Sequence, residues 1–171
     1  MATYTPITAE EARGDSPALS LGTLDRRANV GATLLNSAAQ DAPNEPLTLA
    51  TITAAWQATR EPWGGVTVDL RTGQTVNRTD GYAVGLPGKM GISPAASYGE
   101  FAQAMFATAM RVATGQYLGV FYDLDENRID IQPVFIAETE YYAQCVGVLA
   151  HATGGAYNFA TGDALWIAHL A

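Results

Sequence analysis

Apolar and polar residues alternate through Val66, Thr67, Val68, Asp69 and Leu70, a period of two that predicts a half-buried strand. Arg71-Thr72-Gly73-Gln74 interrupts the alternation. Gly73 can supply the left-handed backbone of a bulged hairpin loop, and Thr75-Val76 begins the return. The same turn chemistry recurs at Asn158–Asp163, ahead of Ala164-Leu165-Trp166-Ile167. Tyr82–Leu86 reads as the next strand, stopped by Pro87-Gly88. Tyr117–Tyr122 and Arg128–Phe135 read as two strands joined by a tight hairpin at Asp123–Asn127, and Pro133 places the second at an edge or a bulge. Ala156–Phe159 and Leu165–Ile167 close the sheet.

Helical spacing takes over between these runs. Thr48 or Thr51 can cap a helix that runs through Arg60, with Ile52, Ala55, Trp56 and Thr59 on one face and Pro62 at its end. A second helix is expected at about 95–113, starting near Ser93-Pro94 or at Ser97. It is apolar nearly all round, with only Glu100, Gln103, Thr108 and Arg111 as polar positions. Such a helix is either buried on more than one side or half of an interface. A third spans Glu138–His151, with Tyr141, Cys145, Val148 and Ala152 along one stripe, before Gly154-Gly155.

The order strand, helix, strand, hairpin strand, helix, strand is that of a split β-α-β, ferredoxin-like core. The expected fold class is therefore α+β: an antiparallel sheet with two helices covering one face and extra hairpins at the ends. Residues 1–46 are different material, rich in Gly, Pro, Ser and Asn, with leucines enough for one short helix at 24–39. They are expected to form a partly helical N-terminal arm that packs on the domain or on a partner, and residues 47–171 the α+β domain.

Composition narrows the function classes. At 171 residues the chain is large enough to bury a core without staples, and its single cysteine, Cys145, can form no intrachain disulfide. Net charge is −8, with eight arginines and one lysine, Lys89. That balance disfavours binding to phosphate backbones and fits either solubility or a basic partner. No apolar run approaches the length of a membrane span, and the first residues lack a signal peptide's pattern, so a cytoplasmic location is expected.

Motifs of chemistry are sparse. Asp123, Asp125 and Asn127 match the opening ligands of a calcium loop, but Arg128 stands where the sharp turn needs glycine and Val134 where a bidentate glutamate belongs. Cys145 and His151 face different sides of a helix, and His169 lies near the chain end. No metal site, cofactor or catalytic residue is expected. Lys89 follows a glycine series with the wrong spacing for a phosphate loop. It remains a ligand candidate beside Tyr82, Tyr117 and Tyr122, which could line a small pocket. The interface candidates are Phe101, Met105, Phe106 and Met110 on the apolar helix.

Five segments carry a resemblance: 64–74 (GGVTVDLRTGQ), 81–86 (GYAVGL), 117–123 (YLGVFYD), 129–135 (IDIQPVF) and 154–163 (GGAYNFATGD). Through them the last 105 or so residues (about 64–167) resemble a set of proteins encoded by actinobacterial phages, plasmids and genomic islands. The chain departs from that set with Phe121-Tyr122, where its members tend to carry tryptophan, and with the apolar helix. The resemblance implies a fold and supplies no activity or catalytic residue. The function expected is that of a phage or mobile-element accessory protein acting by non-catalytic binding of a host or viral protein, as in a host-directed inhibitor or anti-defence protein. The alternative is a virion structural component whose N-terminal arm serves assembly; the third reading is a small-ligand or nucleotide-binding protein. Homo-oligomerisation stays open, and neither nucleic acid nor membrane is an expected partner.

Overall fold

The computed structural model describes residues 18–38, 44–112, 116–150 and 155–170. The fold is α+β, with four helices among the described residues and mostly antiparallel strand pairing. It divides into two compact units, and the chain passes between them more than once.

One unit comprises the described residues of Ala39–Asn77 and Pro87–Val134. Its strands are β2 (Gly65–Asp69), β3 (Gln74–Thr75), β5 (Met90–Ile92), β6 (Tyr117–Asp123) and the first part of β7 (Arg128–Ala137). They pair antiparallel in the order β3-β2-β6-β7, with β5 on β7. The period-two pattern sets the register: Val68 lies opposite Leu118, and Val120 opposite Ile131, so one face is continuously apolar. Helices α2 (Leu49–Ala58) and α3 (Tyr98–Ala109) add Ile52, Ala55, Phe101, Ala104 and Met105 to that core. Trp56 stands edge-on to both Tyr98 and Phe101, at 5.6 and 5.3 Å between ring centroids. Pro133 pairs with Leu118 of β6 but lies beyond the three residues of β7 that β5 engages, where its missing N–H is tolerated.

The ends of these helices follow from single side chains. Thr48 Oγ1 accepts the Thr51 N–H at 3.2 Å, and the Thr51 hydroxyl donates to the Gly73 carbonyl at 2.6 Å, tying α2 to the hairpin loop. Gly73 sits at φ 71°, as the loop chemistry requires. Ser97 and Glu100 form a reciprocal capping box on α3, with N–H to oxygen distances of 2.8 and 3.2 Å. Ser97→Ala is expected to cost about 1 kcal/mol, read as a lower urea midpoint with an unchanged slope.

The other unit comprises the described residues of Met1–Ala38, Arg78–Leu86 and Phe135–Ala171. Here β4 (Tyr82–Gly85), β8 (Ala156–Asn158) and β9 (Ala164–Leu165) pair antiparallel, with Val84 opposite Ala156 and Ala156 opposite Leu165. The short strands β1 (Ala18–Leu19) and β10 (His169–Leu170) pair in parallel. Helices α1 (Leu21–Ala38) and α4 (Glu140–Ala150) complete the unit. The core holds Val84, Leu86, Ala137, Ala143, Val146, Ala156, Leu165 and Ile167, with Leu34 and Leu35 of α1 packed against it.

The helix expected at 24–39 is the 18-residue α1, and it is packed rather than free: it lies so close to α4 that a Cβ at Gly31 would fall 2.5 Å from the Cys145 carbonyl oxygen. Strand β5 escapes the sequence pattern, because three residues centred on Gly91 display no alternation.

Candidate functional site

Three of the four ligand candidates are engaged inside their own unit. Lys89 Nζ lies 3.6 Å from Asp130 Oδ2, and Arg128 Nε lies 2.5 Å from Asp130 Oδ1. Asp130 is buried, so two cations, Arg128 on β7 and Lys89 just before β5, answer one carboxylate, and the Arg128 hydrogen bond raises the Arg128 pKa. Tyr117 Oη accepts from Arg71 Nη2 at 2.6 Å, while Arg71 also pairs with Asp69. The Tyr122 hydroxyl donates to Asn127 Oδ1 at 3.1 Å across the hairpin tip. Tyr117 and Tyr122 are five residues apart on β6 and so project from opposite faces. Tyr82 belongs to the other unit, where burial raises its pKa, helped by the charge of Glu140.

Glu140 opens α4 and is itself pushed above the ordinary carboxylate range by burial. A folded-state pKa above the unfolded value contributes stability that is present below the unfolded pKa and lost as pH rises through the folded one. At neutral pH the ionised Glu140 is therefore a cost. Glu140→Gln is expected to raise the urea midpoint at pH 7 and to lessen the fall in stability between pH 4 and pH 7.

The interface candidates separate into two classes. Phe101 and Met105 are fully buried core residues and offer no surface, which corrects their reading as contact residues. Phe106 and Met110, one turn apart, are 42% and 86% exposed. The helix that looked apolar all round therefore has two apolar faces with different fates. One is sealed against Ile52, Leu118 and Ile131; the other meets solvent.

The acidic turn is a hairpin tip, with Asp123 Oδ1 accepting the Glu126 N–H at 3.1 Å. Among the described residues no group of three or more His, Cys, Asp or Glu side chains could hold a metal ion. Cys145 is buried on α4, and burial pushes its thiol up to about 11, with smaller opposing pulls from a Tyr141 hydrogen bond and the Arg27 charge. It is a protonated, shielded thiol rather than a nucleophile. His151 and Ala152 lie outside the described residues.

Two features were missed from sequence. Arg27, only 1% exposed, lies on the stripe of α1 that also carries Leu24, Gly31 and Leu34, a spacing that could have marked it as inward-facing. Trp63 adopts φ 63°, rare for an aromatic residue, and stands half exposed beside Phe121 at 5.8 Å between ring centroids. Nothing in the Pro62-Trp63-Gly64 string announces that conformation.

Compared with family models, curated proteins and solved structures, the chain matches none.

Proposed function

We propose that the protein acts by non-catalytic binding of another protein, as a phage or mobile-element accessory factor directed at a host protein in the host-cell cytoplasm. The observation that carries this reading is the outward face of α3, where Phe106 and Met110 stand in solvent on a helix whose opposite face is core. An exposed Phe–Met pair offers a soft apolar anchor that adapts to its partner. The charge of −8 favours a partner whose contact surface is basic around an apolar centre.

The core that displays this face is proposed to be the ferredoxin-like split β-α-β. The supporting facts are the element order β4, α3, β6, β7, α4, β8, with β5 inserted between β4 and α3, and the antiparallel pairings β6 with β7 and β4 with β8. The additions are α1, α2 and the outer strands.

The function is tested by affinity capture of the tagged protein from a nuclease-treated actinobacterial lysate, followed by mass spectrometry. One host protein at near-unit stoichiometry is the expected result. Recovery of the protein alone, as large assemblies of itself, would overturn the reading in favour of a virion structural role.

A further inference from the structure

Among the described residues, the buried side-chain polar atoms without a hydrogen-bond partner are Nε, Nη1 and Nη2 of Arg27. A buried guanidinium with no hydrogen-bond partner is among the most destabilising features a fold can carry. Partly exposed arginines elsewhere are answered. Arg71 has Asp69 and Tyr117, Arg78 has Glu138, and Arg128 has Asp130. Gln144, one residue before Cys145 and fully buried, uses both ends of its amide, donating to the Trp166 carbonyl and accepting from the Ala168 N–H. Among the described residues, the Arg27 guanidinium is the exception to this pairing.

The position is well defined. Arg27 lies one turn before Gly31, where α1 meets the backbone of α4 at Cys145 and Val146. We propose that Arg27 anchors a carboxylate-binding site between α1 and α4. The planar fork of N–H donors matches the two oxygens of a carboxylate in a bidentate pair. Charge balance selects among oxyanions: one guanidinium is neutralised by one carboxylate, whereas a phosphate dianion would leave a net negative charge enclosed. The neighbouring Cys145, a neutral thiol at pH 7, adds no second cation.

The same chemistry has two sources. One is a small free carboxylate, which enters by local opening of α1. The other is an acidic side chain of the chain itself, and Glu10, Glu11 and Asp15 precede α1 in sequence.

The test is thermal unfolding of the full chain in formate or acetate against chloride, at fixed pH and ionic strength, for wild type, Arg27→Met and Arg27→Lys. A free ligand gives a wild-type midpoint that climbs with the logarithm of carboxylate concentration, a response absent from Arg27→Met. Arg27→Lys keeps the charge without the fork and is expected to respond weakly, so it stands in should the methionine variant fail to fold. A carboxylate from the chain gives no such climb. Instead, replacing Glu10, Glu11 and Asp15 by their amides removes most of the stability difference between wild type and the Arg27 variants. A midpoint indifferent to carboxylate, together with no coupling to those three residues, overturns the proposal.

Discussion

Met105→Asp is expected to unfold the unit built on α2 and α3, whereas Phe106→Asp combined with Met110→Asp leaves it folded. Met105 is fully enclosed by the cluster that includes Ile52, Phe101, Leu118 and Ile131. An aspartate there loses the burial of a large apolar side chain and must either ionise in an apolar site or remain protonated with an unpaired hydroxyl. The combined penalty is about 5 kcal/mol, comparable with the whole stability of a small domain. The paired change on the outer face touches solvent at both positions and is expected to shift stability by no more than about 0.5 kcal/mol per site. Circular dichroism melts of the two variants decide the matter. A folded Met105→Asp with a wild-type midpoint would contradict the packing of α3.

The second large effect is at Gly31. A Cβ at this position would lie 2.5 Å from the Cys145 oxygen and 3.1 Å from the Val146 Cα, both backbone atoms that cannot rotate aside. Gly31→Val must therefore push α1 off α4, with a cost of about 3 kcal/mol as overpacking gives way to lost burial of Leu34 and Leu35. Cys145 reports the change directly. In the wild type the thiol is buried and held protonated well past pH 8, so it should resist a disulfide reagent for hours in the native state. Exposure by the displaced helix is expected to bring labelling to completion within minutes at pH 8. Equal labelling rates for both proteins would mean that α1 is not seated on α4.

The elements that could be read from the sequence are those whose signal is local. The hairpin of β2 and β3, the strands β6 and β7 and the cap of α2 at Thr48 each rest on alternation, a turn glycine or a capping hydroxyl. What could not be read depends on contacts distant in sequence. In the region before residue 46 the leucines announce a helix at 24–39, but not the surface on which it packs. Gly31 lets α1 approach the α4 backbone closely, and its missing side chain is the packing feature. Strand β5 has no pattern of its own and exists because Ile129–Ile131 of β7 offers a partner. The candidate site divides in the same way. Helical spacing singled out the apolar face of α3, but only packing decides that Phe101 and Met105 point inward and Phe106 and Met110 outward. Lys89, a lone lysine that drew notice by its rarity, is paired with Asp130. Arg27 drew none, although among the described residues its guanidinium is the buried group left without a hydrogen-bond partner.

The measurement that bears most directly on the outward face of α3 is a quantitative capture experiment run in parallel with wild type and the Phe106→Asp/Met110→Asp variant. Both proteins are tagged, matched for melting temperature and exposed to the same nuclease-treated lysate. The expected result is a host protein recovered at near-unit stoichiometry with the wild type and reduced at least roughly tenfold with the variant, as loss of a central apolar anchor requires. Equal recovery of that protein by both would contradict the assignment of this face as the contact surface.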